Sequence, residues 1–341
     1  MIIADGRWVV AGGRNLRAEW FSSPADDPHS IRDADVLLRG EKVAESATKA
    51  FEDEFSFLKN ANVKPLTPEQ FTKAVRPLER ARQALFDRMT NVRKVPAPAV
   101  DAEDPLATAE SRDVESDLEQ FESMRHYAQF EPYPTTSRWP VVLLGKHSTA
   151  NPRATTITDA LMGLIDSSRE EIVIANAYMV LTDRAKAALK AAGQRGVKIR
   201  YVTNSPESTG SLITQAWFVK EWKSYLRDTP NLRIFALAIK RKLHGKVFVF
   251  DRKVCVVGSY NMDPMSEQIN GEDVMVIRSA PFSAECTSWI DDLNRDAVEY
   301  RIRVEPDGTV EQVVGPSDHC SFWIMAIMKI IGSLSFLRPV V

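Results

Sequence analysis

The chain opens with short apolar runs that are separated by turn residues. Residues 1–4 and 8–11 have the length and the apolar character of β-strands. The Asp5-Gly6 dipeptide between them is typical of a tight hairpin turn. A third apolar run follows at residues 35–38. The pattern predicts a β-hairpin followed by a third short strand.

A helical pattern replaces the strands after this point. Apolar residues recur at helical spacing through residues 41–57, which predicts an amphipathic helix. Residues 60–94 also have a helical pattern but are highly charged, whereas residues 95–113 are rich in proline, alanine and acidic residues. Because that last segment has few large apolar residues, it predicts a loop or a linker.

From about residue 139 onward, apolar strands alternate with helices. The predicted helices are 157–167, 183–195 and 215–226. The predicted strands are 170–178, 197–204, 233–237, 246–251 and 254–259. The last two strands follow each other closely and predict a second hairpin. This alternation is typical of an α/β layer structure.

The C-terminal tail has a different character. Nearly every residue of the segment 321–337 is apolar, and Lys329 and Ser333 form a narrow polar stripe at helical spacing. The segment is short for a bilayer core of about 30 Å, which a helix crosses with about 20 residues. We therefore expect a helix that lies in a membrane interface, with docking on the protein's own core as the alternative.

Composition changes this picture mainly by what it excludes. The 341 residues carry a formal net charge of −2, whereas general nucleic-acid binders are usually clearly basic. We therefore expect no nucleic-acid partner. Neither the three cysteines nor the five histidines have the spacing of a metal site, so we expect no metal and no cofactor.

The segment that carries chemistry is LHGKVFVFDRKVCVVGSYN. His244 and Lys246 are two positions apart on a predicted strand, so their side chains leave the same face. The imidazole can act as a nucleophile or exchange a proton, and the lysine charge can bind a phosphate oxygen. Ser259 and Asn261 add hydrogen-bond donors for the same oxygens, which stabilises a five-coordinate phosphorus without a metal. Asp251 lies at the hairpin turn, where a structural role is more natural than proton transfer.

This segment resembles the HKD motif of the phospholipase D superfamily. The resemblance implies an α/β fold, a phospholipase D-like α/β/α sandwich with a mixed sheet and two pseudo-symmetric halves, the first of them incomplete. It continues into DPMSEQINGED, where Glu272 takes the place of the carboxylate that orients the histidine, although a solvated strand-end acid is the alternative. Met265 stands where relatives often have arginine. The implied catalytic set is His244, Lys246, Asp251, Ser259, Asn261 and Glu272.

The N-terminal end of the chain repeats the rear part of this motif. Asp5, six residues and then GGRN reproduce the spacing between the aspartate and GSYN of the complete motif. We therefore expect Asp5, Gly13 and Asn15 to be the remnant of a first motif that is truncated immediately after its lysine. Asp33 or Asp35 matches the acid associated with that motif, and a role at the start of a strand explains either residue equally well.

The stretches GGRNLRAEWF and DADVLLRGEKVAESATKAFEDEF resemble bacterial cardiolipin synthases of the C type and related phospholipase D-like proteins. That resemblance implies a phosphatidyltransferase with a phosphohistidine intermediate, in which His244 is the general acid and base. The implied substrates are phosphatidylglycerol or phosphatidylethanolamine. The implied location is the bacterial cytoplasmic membrane, which the protein contacts through residues 321–337.

The implied organisation has four parts. Residues 1–59 are the remnant of the first half, and residues 60–138 are a helical or linker insertion. Residues 139–305 are the second half with its complete motif. Residues 306–341 are a tail that contains the apolar helix. A chain truncated in this way is expected to be inactive alone. Two alternatives stay open: a homodimeric phosphodiesterase or nuclease in which two copies of His244 share one site, and a non-catalytic membrane-associated remnant.

Overall fold

The chain divides into two units, and nearly all described residues belong to the one that comprises residues 1–21, 29–59 and 139–341. The computed structural model describes residues 1–22, 27–57, 67, 69, 139–147, 156–318, 320–334 and 338. The predicted insertion at 60–138, apart from residues 67 and 69, and positions 335–337 of the predicted tail helix lie outside the described residues. The division of the chain into four parts stays a prediction.

The N-terminal segment forms a three-stranded antiparallel sheet of β1 (Ile2–Ala4), β2 (Trp8–Gly12) and β3 (Asp35–Arg39). Asp5 and Gly6 both have positive φ, so the hairpin closes with a type I′ turn, as the dipeptide predicts. Helix α1 (Glu41–Phe57) follows over the range that its apolar spacing predicts.

A nine-stranded mixed sheet forms the centre of the unit. Its strands are β4 (Val141–Lys146), β5 (Glu171–Ala175), β6 (Lys198–Asn204), β7 (Leu232–Leu237), β8 (Val247–Phe250), β9 (Val254–Gly258), β10 (Glu272–Arg278), β11 (Ala297–Val304) and β12 (Val310–Val314). The strand order is β12-β11-β7-β6-β5-β8-β9-β10-β4. Strands β5, β6 and β7 run parallel to one another, and the other pairings are antiparallel.

Helices cover both faces of this sheet. They are α2 (Thr156–Ser167), α3 (Asp183–Gln194), α4 (Leu212–Asp228), α5 (Pro264–Gln268), α6 (Ala280–Asn294) and α7 (Phe322–Ser333). One face packs against α2, α3 and α4 through apolar residues such as Ile157, Leu189 and Phe218. The other face packs against α6 and the small N-terminal sheet, which contributes Val9 and Val36. The predicted α/β/α layering with a mixed sheet is confirmed.

The backbone repeats itself where the sequence does. Asp251 and Arg252 at the turn between β8 and β9 have positive φ, as Asp5 and Gly6 do between β1 and β2. In both turns a backbone N–H donates to the carbonyl three residues earlier, at 3.0 and 3.1 Å. Two equivalent hairpins are what two pseudo-symmetric halves require, and one of them belongs to each sheet.

The tail helix α7 is shorter than predicted and docks on the core. It spans twelve residues, and its buried residues Met325, Met328 and Gly332 pack against α4. This contact corresponds to the alternative that the sequence left open. Within the described ranges, no helix has the length and apolar character needed to cross a membrane.

Candidate active site

The site lies where the parallel strands end and β8 begins. Ala175, the last residue of β5, pairs with Val247, the first residue of β8, so the segment that carries His244 and Lys246 lies at the carboxyl edge of the parallel strands. Ligand sites of open α/β sheets commonly occupy this edge. A cavity of about 450 Å³ opens here and is lined by Gly13, Asn15, His244, Lys246, Ser259, Asn261, Ile269, Asn270, Gly271 and Glu272. The two motif segments therefore meet at one cavity.

The backbone before the histidine is held from two directions. The Asn204 side chain accepts a hydrogen bond from the Leu243 N–H at 2.8 Å and donates to the Leu243 carbonyl at 2.8 Å. It also donates to the carbonyl of Ala177 at 2.8 Å. On the other side, the His244 N–H donates to the carbonyl of Arg32 at 2.7 Å. These bonds fix the point from which the imidazole extends.

Asp33 is the residue that orients the imidazole. Its Oδ2 atom lies 2.8 Å from Nδ1 of His244, and its side chain is fully buried. Trp20 Nε1 donates to the same oxygen at 3.1 Å, and the Ala34 N–H donates to Oδ1 at 2.8 Å. Burial by itself raises the pKa of Asp33, but the His244 hydrogen bond and the charge of Lys246 outweigh it, so the pKa lies below its ordinary value. An ionised Asp33 engages Nδ1, so Nε2 is the ring nitrogen that no carboxylate of the described residues holds.

This geometry corrects the role predicted for Glu272. Its carboxylate accepts hydrogen bonds from Ser259 Oγ, from Ser266 Oγ at 2.7 Å and from Asn270 Nδ2 at 3.3 Å. Burial raises the pKa of Glu272, although these hydrogen bonds partly offset the effect. The imidazole is instead oriented by Asp33, because the segment before β3 crosses the start of β8 and brings in its carboxylate.

Of the two acids considered for the first motif, the structure therefore brings Asp33 to the site. Asp35 forms an ion pair with Arg14 at the start of β3. The ion pair connects the start of β3 to the GGRN segment. Asp35 therefore has the structural role at a strand start that the sequence offered as the alternative.

Lys246 is a buried cation beneath the histidine. The residue is 2% exposed, and its Nζ lies 3.1 Å from each ring nitrogen of His244. Burial lowers the pKa of Lys246 to about 8, although nearby carboxylates, Asp33 first among them, act in the opposite direction. A Cβ atom on Gly13 would lie 3.1 Å from Lys246 Cδ and 3.2 Å from Asp33 Oδ1. A side chain at this position, which Ser259 occupies in the second motif, would require Lys246 or Asp33 to shift by a few tenths of an ångström.

Ser259 and Asn261 differ in their availability to a ligand. The Ser259 hydroxyl donates to Glu272 and accepts from the Asp273 N–H at 3.0 Å, so its proton is already committed. The Asn261 N–H donates to Ser266 Oγ at 3.1 Å, but its buried side-chain oxygen has no hydrogen-bond partner among the described residues. The Ser259 geometry does not fit donation to phosphate oxygens, because its proton is committed to Glu272. For Asn261 the unpartnered oxygen is an acceptor, so donation through Nδ2 stays a prediction.

Asp251 and Asp5 lie at the hairpin turns and are absent from the described lining of the cavity. The Asp251 carboxylate accepts hydrogen bonds from the backbone N–H groups of Arg169, Glu170 and Glu171 at 2.9, 2.8 and 3.0 Å. Burial raises the pKa of Asp251, but the three hydrogen bonds together outweigh it, so the pKa lies below its ordinary value. The structure therefore corrects the assignment of Asp251 to the catalytic set. Asp251 holds the loop before β5, because it lies at the end of β8 that is far from His244.

Sequence reasoning missed two residues that shape the site. Asn204 ends the buried strand β6, and a polar residue at the carboxyl end of a parallel strand is a recognisable signal. Trp20 carries no such signal, since its contact with Asp33 depends on the fold of the loop between β2 and β3. Among the residues that the structure describes, no group of three His, Cys, Asp or Glu side chains is arranged to hold a metal ion.

Comparisons with known proteins agree with this geometry. Residues 161–294 match the family model described as "Cardiolipin synthase, PLD-like domain". Cardiolipin synthase B of Escherichia coli is 30% identical over 125 residues, which cover 35% of this chain and 28% of that protein. An uncharacterized protein of Helicobacter pylori strain J99 is 24% identical over 329 residues, 92% of this chain. The chain spans 61% of the length of that relative.

A solved structure extends the similarity to nearly the whole chain. Phosphatidylserine synthase from Haemophilus influenzae superposes with a TM-score of 0.55 at 8% sequence identity, covering 98% of this chain and 69% of that one. At this identity the comparison shows the fold. It confirms the predicted fold class, and the family model confirms the phospholipase D resemblance over residues 161–294.

Proposed function

We propose that this chain, in which residues 161–294 form a phospholipase D-like domain, is a phosphatidyltransferase of the cardiolipin synthase type. The observation that carries the proposal is His244, held at Nδ1 by Asp33 and lying beside the buried cation Lys246 at an open cavity. Such a pair can exchange a proton with a phosphodiester and hold its charged oxygen. The match to the cardiolipin synthase model and the net charge of −2 favour a phospholipid over a nucleic acid as substrate.

His244 acts in this proposal as general acid and then as general base. Its Nε2 donates a proton to the leaving alcohol oxygen as the P–O bond breaks, and later removes the proton of the acceptor hydroxyl. Water as acceptor yields phosphatidic acid, whereas the hydroxyl of phosphatidylglycerol yields cardiolipin. Lys246 and the amide of Asn261 balance the negative charge on the non-bridging oxygens.

A phosphohistidine mechanism also needs an imidazole that attacks phosphorus opposite His244. In the described part of the chain, His244 is the one imidazole that lines the cavity. We assign the attack to an imidazole from outside the described residues, either of the same protein or of a second copy. Glu272, which lines the cavity, is the carboxylate suited to hold that group as Asp33 holds His244.

Turnover of phosphatidylglycerol in mixed micelles, alone and with phosphatidylethanolamine, tests the proposal. Products are identified by mass spectrometry, with single-stranded DNA as the competing phosphodiester. Where the attacking imidazole is present, we expect His244→Ala to lower the rate by about 10²–10⁴-fold, the usual contribution of a general acid and base. His29→Gln, a histidine outside the described cavity lining, is the matched control.

Each remaining outcome decides between the interpretations. Cleavage of DNA without turnover of lipid contradicts the proposal and favours the homodimeric nuclease, which light scattering would detect as a dimer. Binding of tungstate, a phosphate mimic, is measured in parallel by calorimetry. Wild-type protein that turns over no phosphodiester and binds no tungstate in a His244-dependent manner would identify a non-catalytic protein.

A further inference from the structure

Helix α7 is apolar on two opposite sides. Its inner side is buried against α4 and consists of Met325, Met328 and Gly332. Its outer side consists of large apolar residues that solvent reaches: Trp323 at 75%, Ile327 at 50%, Ile330 at 65% and Leu334 at 39% exposure. With 3.6 residues per turn, the two sets point in opposite directions. A helix that served only to cover the core would be polar on its outer side.

Exposed aromatic residues begin the helix. Phe322 is 77% exposed, and its ring centroid lies 5.6 Å from that of Trp323. Aromatic rings of this kind concentrate at the boundary between hydrocarbon and water, where tryptophan can also hydrogen-bond through its ring nitrogen. The outer side of α7 therefore has the chemistry of a surface that enters a lipid interface.

The single charged residue of helix α7 is a lysine. The segment 321–334 contains Lys329 and no aspartate or glutamate. On α4, Lys220 is exposed, and its Cβ atom lies 3.6 Å from the position that a Cβ on Gly332 would occupy. Glu221 of the same helix is paired with Arg338. An apolar helix whose one charge is a lysine complements an anionic headgroup layer, in contrast to the net charge of −2 of the chain.

Helix α4 links helix α7 to the candidate site. Gly332 lies against the first turns of α4, where its added Cβ would be 3.1 Å from the carbonyl oxygen of Ala216. The neighbouring Gln215 donates to the carbonyl of Asn204 at 3.4 Å, and Asn204 holds the residue before His244. The C-terminal end of α7 therefore lies toward the sheet edge that carries the candidate site.

We propose that the outer side of α7, formed by Trp323, Ile327, Ile330 and Leu334, docks this protein on an anionic lipid bilayer. The inference rests on the proposed function in one respect, because docking would bring phospholipid headgroups toward the cavity. A lipid surface is favoured over a second protein because α7 is about 18 Å long and presents one narrow row of side chains. A stable protein interface needs about 800 Å² per partner.

Vesicle co-sedimentation tests the docking surface. The full chain is mixed with vesicles of phosphatidylcholine alone or with phosphatidylglycerol. The triple variant Trp323→Gln, Ile327→Gln, Ile330→Gln is expected to lower the partition coefficient at least about 100-fold, since burial of each large apolar side chain contributes roughly tenfold or more. Lys329→Gln is expected to lower it about fivefold on phosphatidylglycerol vesicles and to leave it unchanged on phosphatidylcholine.

Controls separate docking from folding and from catalysis. Val304→Gln replaces an apolar residue that is 51% exposed at the end of β11, and we expect it to bind vesicles as the wild type does. Circular dichroism melts check that the triple variant is folded. Turnover of short-chain phosphatidylglycerol below its micelle concentration is expected to stay at the wild-type rate in that variant, because its substrate needs no bilayer.

The two proposals fail in different ways. Wild-type protein that ignores anionic vesicles, or a triple variant that binds them as tightly as the wild type, overturns the docking inference even if lipid is turned over. A triple variant that changes only the oligomeric state overturns it as well and indicates a second copy on this face. Vesicle binding that depends on α7, without turnover of any phosphodiester, supports docking and contradicts the proposed activity.

Discussion

Replacement of Lys246 by methionine is expected to stabilise the protein at neutral pH. Lysine and methionine have similar length, and the Lys246 side chain is 2% exposed. Because burial lowers its pKa, the folded protein holds the charged form at a cost that the unfolded chain does not have. Methionine removes that cost and keeps the apolar contacts of the side chain.

The magnitude follows from the pKa of the buried group. The pKa of Lys246 falls from an ordinary value of 10.5 to about 8. At about 1.4 kcal/mol per pKa unit, the charged form is disfavoured in the folded protein by about 3 kcal/mol. Hydrogen bonding of Nζ to the His244 carbonyl offsets part of this cost, so we expect Lys246→Met to gain about 1–3 kcal/mol at pH 7.

The pH dependence gives a sharper test than the value at one pH. Between pH 8 and 10.5 the unfolded chain still holds the proton that folded Lys246 has released, so the stability of the wild type rises with pH through this window. This contribution is complete above pH 10.5, decreases as the pH falls from 10.5 to about 8, and is absent below that. In the methionine variant it is absent at every pH.

Urea unfolding monitored by circular dichroism at pH 7, 8.5 and 10 measures the difference. The free energy of unfolding of the wild type minus that of Lys246→Met is expected to increase by about 2–3 kcal/mol from pH 7 to pH 10. Tyrosines and other titrating groups cancel because both proteins contain them. Lys220→Met, a change at an exposed lysine, controls for the loss of one positive charge. A difference that is the same at pH 7 and pH 10 would refute the description of Lys246 as a buried, destabilised cation.

Two further predictions concern the residues that hold the histidine. An ionised Asp33 is expected to select the His244 tautomer that is protonated at Nδ1. In Asp33→Asn the neutral amide can donate or accept, so ¹⁵N NMR is expected to show a mixture of tautomers; an unchanged tautomer would mean that Asp33 does not select it. Asn204→Ala removes three buried hydrogen bonds and is expected to lower the free energy of unfolding by about 2–4 kcal/mol in urea. A loss below about 1 kcal/mol would show that Leu243 is held by other contacts.

Local patterns predicted the parts of the fold that depend on a few neighbouring residues. Asp5-Gly6 predicted its hairpin because both central positions of the turn need positive φ. The apolar spacing predicted α1 to the residue. Strands β4, β10, β11 and β12, the outer two on each side of the large sheet, were missed. In β12 partly buried positions alternate with exposed ones, which weakens the apolar signal.

In the candidate site, too, the sequence predicted the residues that are close in the chain and missed the contact between distant ones. The spacing of His244, Lys246 and Asn261 within one hairpin identified the chemistry, because two strands and a turn suffice to bring these residues to one end of the sheet. The carboxylate that serves His244 could not be chosen from the sequence: Asp33 lies 211 positions away and Glu272 only 28.

What the sequence determined by itself was therefore local: the strands, the turns, the amphipathic helices and the identity of the reactive side chains. Only the tertiary structure decided that Asp33 rather than Glu272 contacts the imidazole, and that Asp251 holds a loop. It also decided that α7 buries one apolar side and exposes the other. These outcomes depend on which faces of distant segments pack together, and that is set by burial of the whole core rather than by the spacing of any one segment.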